Sequence, residues 1–305
     1  MKTHHWVNLT HQRERKQTVI FCAVFVARLK NGDEMLKDRL FLILCFAFIC
    51  IGTTTGAPVI LNEYNAVSST NFLNGGDETA DQDDGYASDS YFGRVQGNGG
   101  DWFELVVIQD HLDMRSWRLT ISWLEGLSRV SEVLNLSNHS IWSDLRSGTI
   151  ITISEDLPDD VSYNPIYNPQ DPQAGDWWIN VRANADYGSG TYIENQNFPV
   201  NNDDWQLTVK TATNIIQFGP CGEGVAPNAG VNPTEIFRLE ADPSASVTRD
   251  SVYYDDGISL STFGSPNQWG SSVQDFSQLR SVVPEPATVL LLGLGSLALL
   301  KNRRR

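Results

Sequence analysis

Apolar and polar residues alternate along several short segments of the chain, which is the pattern of β-strands with one buried face. The segment Trp117–Trp123 is apolar at odd-numbered positions and polar at even ones, and Trp205–Thr211 repeats this period of two. Further short strands rich in Val, Ile, Thr and Trp are predicted at Val59–Tyr64, Trp102–Ile108, Thr149–Ser154, Trp177–Val181, Ile215–Phe218 and Ile236–Glu240. Short strands separated by turn-rich loops predict an all-β sandwich.

One window fits two structures. Trp123, Leu127, Val130 and Leu134 fall at helical spacing, so a short helix is one interpretation. Gly126 lies inside that pattern, however, and the later apolar residues also suit one face of a strand. We favour a turn followed by a strand.

The N-terminal region contains a secretory signal. Met35 is followed by Lys37 and Arg39, then by the apolar run Leu40–Ile51 and the small residues Thr53–Ala57. A charged start, an apolar core and a small-residue cleavage site are the three parts of a signal peptide, here residues 35–57. We therefore expect a signal helix that signal peptidase removes.

The residues before Met35 fit no signal pattern well. Residues 1–34 either result from a start codon assigned too early or form a long charged region that includes the apolar run Val19–Ala27. We favour the first explanation, and in neither case do these residues belong to the folded domain.

The C-terminal region also has three parts. Val283, Pro284, Glu285 and Pro286 precede a mostly apolar stretch, residues 287–300, and a basic end, residues 301–305. Fourteen helical residues span roughly 21 Å, which is short of the ~30 Å hydrocarbon core of a bilayer. Lys and Arg stay preferentially on the cytoplasmic side of a membrane. We therefore expect the C-terminus to be cytoplasmic before processing and the bulk of the protein to lie outside.

These residues resemble the PEP-CTERM sorting signal of bacterial surface proteins, whose Pro-Glu-Pro matches residues 284–286. The resemblance implies processing by an exosortase-type membrane enzyme and a destination at the cell surface. The alternative is an ordinary C-terminal membrane anchor that contains Pro-Glu-Pro by chance.

Charge is distributed unevenly along the chain, whose formal net charge is −15. Residues 58–283 contain 32 Asp and Glu against 10 Lys and Arg, a net charge of −22 for this part. Such an acidic body repels phosphates, so we predict no nucleic-acid partner. Acidity suits solubility or the binding of divalent cations instead.

An acidic loop is the candidate metal site. Clustered carboxylates are the hard oxygen ligands that Ca²⁺ prefers, and the candidate ligands are Asp81, Asp83, Asp84 and Asp89. The spacing does not match an EF-hand loop. The alternative is a solvated surface loop without metal, so no cofactor other than Ca²⁺ is predicted.

The body lacks the usual catalytic motifs. It contains two histidines, His111 and His139, and one cysteine, Cys221, which we expect in a loop. No nucleophile elbow, zinc-protease motif, paired Cys-x-x-Cys or phosphate loop occurs. We therefore predict that the protein is not an enzyme and keep an uncharacterised hydrolase as a remote alternative. The pair Trp177-Trp178 would stack on sugars if it were exposed.

Four segments of the body resemble the lamin tail domain, an immunoglobulin-like β-sandwich. Ile60–Tyr64 resembles its opening Ile-Asn-Glu strand, and Asp101–Leu105 its Trp-Ile-Glu-Leu strand. Asp113–Leu119 resembles its Leu-Ser-Gly-Trp-Thr-Leu strand, with Ser116 where the family usually has Gly, and Gly264–Asn267 resembles its closing Gly-x-Pro-Asn. The resemblance implies a lamin-tail-like sandwich over residues 58–267 with long loop insertions.

Together these features predict an exported, surface-anchored module. Residues 268–282 form a linker between the sandwich and the sorting signal at residues 283–305. We expect a non-enzymatic binding or structural role in the envelope or extracellular matrix, with surface polysaccharide or surface proteins as partners. The alternative is a calcium- or carbohydrate-binding module.

Overall fold

The computed structural model describes residues 56–79, 87–155, 171–172, 175–183, 192–194, 197–227, 230–257 and 260–281. Residues 1–55 with most of the predicted signal peptide, residues 80–86 with Asp81, Asp83 and Asp84, and the sorting segment from residue 282 lie outside these ranges. Within the described ranges, no helix is both long and apolar enough to cross a membrane.

Among the described residues, six strands form the first sheet: β1 (Val59–Asn65), β2 (Trp102–Val107), β5 (Ile150–Ser154), β6 (Trp178–Arg182), β9 (Ile236–Leu239) and β10 (Tyr254–Gly257). Their spatial order is β10-β9-β1-β2-β5-β6, and neighbours pair antiparallel except β5 and β6, which are parallel. β1 and β2 are buried along their whole length. The centre of this sheet is therefore covered on both faces.

Four strands in the described part of the chain form the second sheet: β3 (Arg118–Glu125), β4 (Ser128–Asn135), β7 (Gln206–Lys210) and β8 (Ile216–Gly222). Their spatial order is β4-β3-β7-β8, all antiparallel. A tight turn at Gly126, with φ of 64°, joins β3 to β4 and leaves Leu127 fully exposed. The turn-then-strand interpretation of this window is confirmed.

The two sheets pack against each other through an aromatic core. In β3, Leu119, Ile121 and Trp123 are buried, as the alternation predicts, and the even-numbered positions are more open. Across the interface, Tyr64 lies 4.4 Å from Trp205, and Phe103 lies 5.7 Å from the same ring, centroid to centroid. Such pairs add about 0.5–1.5 kcal/mol each beyond the burial of their area. The all-β prediction is confirmed.

Two features differ from the sequence-based expectations. Cys221 lies within β8 and is completely buried, so it is a core residue rather than a loop residue. β10 was not predicted, because its sequence Tyr-Asp-Asp-Gly lacks apolar alternation. It forms because it pairs along its whole length with β9.

The described part of the predicted linker packs on the domain. Residues 268–281 form a small hairpin of β11 (Gln268–Trp269) and β12 (Ser272–Val273), followed by a single helical turn, α1 (Ser277–Arg280). Gln274 and Phe276 are buried between these elements. The sequence predicts a free linker here, but side-chain hydrogen bonds and the apolar contacts of Phe276 and Leu279 hold the segment against the body.

Candidate functional site

A row of buried polar side chains crosses the first sheet on the face that points away from the second. The pairing register places Arg238 beside Glu63, Glu63 beside Glu104, Glu104 beside Thr152, and Thr152 beside Asn180. Paired residues project to the same face of a sheet. These five residues, from β9, β1, β2, β5 and β6, are 0–3% exposed and are called the polar row below.

A β-bulge in β1 supplies the row with one more polar group. The register between β1 and β2 shifts between Leu61 and Glu63, so that Asn62 is the extra residue. Bulges redirect side chains in this way. Both Asn62 and Glu63 consequently bond to the segment that covers the row.

Residues 260–267, called the closing segment below, cover the polar row. Glu63 accepts hydrogen bonds from the backbone N–H of Thr262 at 3.3 Å and from its hydroxyl at 2.8 Å. Glu104 accepts a short bond from the backbone N–H of Gly264 and a longer one from the Asn62 amide, at 3.4 Å. Both carboxylates therefore bind the closing segment from the side of the first sheet.

Asp89 holds the same segment from its other side. One carboxylate oxygen accepts from the backbone N–H groups of Tyr91 and Phe92, at 2.7 and 2.9 Å. The other accepts from the Ser261 hydroxyl at 2.6 Å and the Phe263 N–H at 3.1 Å. Three successive backbone N–H groups of the closing segment, at positions 262 to 264, thus each donate to a side-chain carboxylate. In a regular sheet they would donate to backbone carbonyls of a neighbouring strand.

The C-terminal end of the closing segment is fixed by amide side chains. Asn267 donates to the carbonyls of Asn62 and Leu239, at 3.0 and 3.2 Å, and accepts from the Asn62 side chain at 3.0 Å. Gln274 donates to Leu239 O and to the Asn62 side chain, both at 3.0 Å. Buried polar groups need such partners to avoid a desolvation cost.

Aromatic rings seal this network from solvent. Phe263 packs edge-on against Trp102 at 5.2 Å and against Trp178 at 5.9 Å, centroid to centroid. Gly264 has a φ of 74°, and a Cβ at this position would come within 2.5 Å of the Trp178 ring. A glycine is required at position 264 because both the backbone conformation and the close approach exclude a side chain.

Burial controls the electrostatics of the row. It raises the pKa of Glu63 to about 7, with a further contribution from the charge of Asp89. The pKa of Glu104 lies well above its usual range because of burial and the neighbouring Glu63, and burial raises the pKa of Asp89. The buried cation of the row, Arg238, pairs with Glu240 at 2.6 Å. Burial in the row therefore raises the pKa of both glutamates, because the charged form loses its hydration.

This arrangement limits the chemistry that the row can perform. Two adjacent carboxyl groups can act as an acid–base pair when their surroundings set their proton affinities apart. Here, however, their oxygens accept from the backbone N–H groups and the Thr262 hydroxyl of the cover, so no substrate reaches them without displacing the closing segment. Within the described residues, no group of three His, Cys, Asp or Glu side chains is arranged to hold a metal ion.

Of the four predicted metal-site residues, the structure describes Asp89 alone. Asp89 is buried and each of its oxygens already accepts two hydrogen bonds, whereas Asp81, Asp83 and Asp84 lie outside the described residues. The ends of that loop converge on Arg94, whose guanidinium donates to the carbonyls of residues 73, 75, 77 and 87.

Of the remaining candidates, the two histidines bond away from the polar row, whereas Trp178 bonds to it. His111 pairs with Asp144 at 2.6 Å on the surface, and His139 caps a 3-10 turn by accepting from the Ile141 N–H at 3.1 Å. Trp177 and Trp178 are both half-buried. Trp178 donates to the Thr152 hydroxyl at 2.9 Å, so its ring belongs to the cover rather than to an open sugar platform.

Sequence reasoning did not assign the row itself. Its visible signal is a polar residue inside an apolar strand, as at Glu104 in Trp-Phe-Glu-Leu-Val-Val and Thr152 in Ile-Ile-Thr-Ile. A strand buried on both faces contains such a residue only where the fold provides it with a partner.

One comparison with known proteins gives a match. The family model for the PEP-CTERM protein-sorting motif matches residues 282–305. This confirms the predicted sorting signal, which contains Val283, Pro284, Glu285 and Pro286, and it indicates an exported, membrane-anchored precursor that an exosortase, a membrane-embedded enzyme, processes. No curated protein and no solved structure matches the chain.

Proposed function

We propose that this protein is a non-enzymatic contact module of the bacterial cell surface, built on a lamin-tail-like sandwich. Signal peptidase removes the segment that ends near Ala57, and the C-terminus stays cytoplasmic until the exosortase acts. The acidic body then contacts polysaccharide or other surface proteins through its exposed loops and its second sheet.

The observation that carries the proposal is that three of the four resemblance motifs meet in one network. Asn62 and Glu63 come from the opening motif, Glu104 from the second, and Gly264 and Asn267 from the closing motif. Positions up to 205 residues apart in the chain bond directly to one another. This convergence supports a common sandwich architecture, because the shared motif residues act in closing the fold.

The same network supports a role without catalysis. The acidic residues with the strongest burial bind backbone groups, and the two histidines of the body bond elsewhere. A hydrolase needs an acid, a base or a nucleophile that faces a substrate cleft. Surface contact requires none of these groups.

Incubation with extracellular polysaccharide from the host cell tests the proposal. The purified protein should sediment with the polymer and release no reducing ends. Release of reducing ends that disappears in a Glu104→Gln variant would show an enzyme instead. Glu125→Gln, at the exposed end of β3, makes the same charge change away from the polar row and serves as the control.

A calcium-dependent binding module is the second candidate. Arg94 fixes both ends of the loop that contains Asp81, Asp83 and Asp84 to the same point of the body. A specific site should raise the melting temperature at low micromolar Ca²⁺. Asp83→Asn should abolish this rise, while a rise that persists in this variant would indicate nonspecific screening of the acidic surface.

A further inference from the structure

The chain remains docked on the sandwich almost up to the sorting motif. Residues 274–281, called the tail strap below, begin with the buried side chain of Gln274, which donates to the carbonyls of Leu239 and Ala241 at 3.0 Å each. Phe276 follows and is also buried. The strap is thus attached at its start by both polar and apolar contacts.

Arg280 attaches the far end of the tail strap. Its Nε and Nη2 donate to the carbonyl of Gly148 at 3.0 and 2.9 Å. The guanidinium lies over the rings of Phe276 and Trp177, at 4.4 and 5.3 Å from their centroids. Cations over aromatic faces are attracted by the ring quadrupole. One side chain thereby links the strap to the residues just before β5 and just before β6.

The receiving surface is shaped for this contact. Gly148 has a φ of 81°, and a Cβ there would come within 2.6 Å of the Arg280 side chain. Next to it, the Ser147 hydroxyl donates to the carbonyl of Leu279 at 2.6 Å. Leu279 itself packs against the core. The docked position is therefore specified by several independent contacts.

Docking leaves little chain between the sandwich and the motif. Pro284 is three residues beyond Ser281, so even a fully extended chain separates the two by only about 10 Å. The apolar stretch begins at residue 287, about 20 Å from Ser281 at full extension. A membrane-embedded enzyme that grips Pro-Glu-Pro would meet the folded sandwich at this distance.

We propose that the tail strap is an autoinhibitory contact, and that its release from Gly148 and Ser147 precedes cleavage by the exosortase. This inference rests on the proposed processing of the sorting signal. Release lengthens the free chain by the residues of α1 and moves the sandwich away from the enzyme. Short terminal elements open locally at a lower cost than the core does, so the rest of the fold persists during processing.

Pulse–chase labelling of the full-length precursor in host cells tests the proposal. Arg280→Ala removes both bonds to Gly148 and the two ring contacts. We expect conversion of precursor to mature protein to accelerate about tenfold, since losing charge-assisted hydrogen bonds shifts the docking equilibrium by at least that factor. Arg115→Ala removes an exposed arginine that pairs with Asp113 and should leave the rate unchanged.

An insertion after the tail strap tests whether the length of free chain, rather than damage to the fold, controls the rate of processing. Nine Gly and Ser residues placed between Ser281 and residue 282 keep the strap intact and extend the free chain by roughly 30 Å. This variant should be processed as fast as Arg280→Ala, and adding Arg280→Ala to it should cause no further acceleration. Thermal melting of each purified variant checks that the sandwich stays folded.

The outcomes distinguish this inference from the proposed processing. If Glu285→Ala does not block conversion, the sorting signal itself does not operate as proposed. If Glu285→Ala blocks conversion but Arg280→Ala and the insertion leave the rate unchanged, or slow it, the tail strap is not inhibitory and the inference is wrong.

Discussion

The two sheets differ in what covers their outer faces. In the second sheet, β3 and β4 alternate between core and solvent, and Val133 remains 38% exposed. The first sheet has a second, polar interior beneath the closing segment, where Glu63 and Glu104 are completely buried. One sheet is therefore held mainly by apolar burial on one side, whereas the other also depends on hydrogen bonds that form only when a distant segment folds over it.

The largest expected effect comes from removing the seal of the first sheet. Phe263→Ala should lower the free energy of unfolding by about 3–5 kcal/mol, because it leaves a cavity against Trp102 and exposes the polar row. Val133→Ala on the outer face of the second sheet should cost less than about 0.5 kcal/mol. Urea denaturation measures both, and similar losses would contradict the proposed difference between the two faces.

The polar row should make stability depend on pH. The pKa of Glu63 is raised to about 7 in the folded protein, so the folded state binds the proton of Glu63 more tightly than the unfolded chain does. This proton contributes fully to stability at pH values below the pKa of Glu63 in the unfolded chain, and the contribution is lost as the pH rises through 7. Unfolding at pH 8 should therefore require about 3 kcal/mol less than at pH 4.5, given about 1.4 kcal/mol per pKa unit.

Glu63→Gln tests this linkage, because a neutral amide can still bond to Thr262 without a titrating proton. The variant should reduce the loss of stability between pH 5 and 8 when unfolding is followed by intrinsic fluorescence. Glu125→Gln, which makes the same change on the exposed end of β3, is the control. Parallel profiles for Glu63→Gln and the unmodified protein would show that Glu63 is not the titrating group.

A smaller effect is expected at the end of the closing segment. Asn267→Ala leaves the buried carbonyls of Asn62 and Leu239 without this donor, at a cost of about 2 kcal/mol. Ser265→Ala, in the less buried part of the same segment, is the control. Equal midpoints of denaturation for the two variants would indicate that water replaces the Asn267 amide.

The difference between the sheets also decides how much of the fold the sequence reveals. β3 and β7 were predicted because one face meets water, which produces alternation. β10 lacks that pattern. Polar residues inside the buried strands are visible in the sequence, but their partners are not. Glu63 and Asn62 of β1, for example, bond to residues that lie 199 and 205 positions away in the chain. Contacts at such separations are fixed by tertiary folding, and no local pattern encodes them.

The candidate site shows the same limit. Asp89 was selected because it lies in an acidic loop, yet it is buried and bonds to Ser261 and Phe263. The amino-acid composition of a loop does not distinguish a solvated carboxylate from one that accepts hydrogen bonds from backbone N–H groups far away in the sequence. The tail strap was interpreted as a linker for a related reason, since Gln274 and Arg280 are polar residues whose hydrogen-bond acceptors are distant carbonyls.

A small effect is also expected at an ion pair on the outer face of the second sheet. Arg129 on β4 forms an ion pair with Asp204, and both side chains are partly exposed to solvent. Exposed pairs contribute about 0–1 kcal/mol because water and salt screen them. Arg129→Ala should therefore shift the free energy of unfolding by less than about 1 kcal/mol, and the difference should vanish in 1 M NaCl. A larger, salt-independent loss would mean that this face, like that of the first sheet, contains a buried polar network.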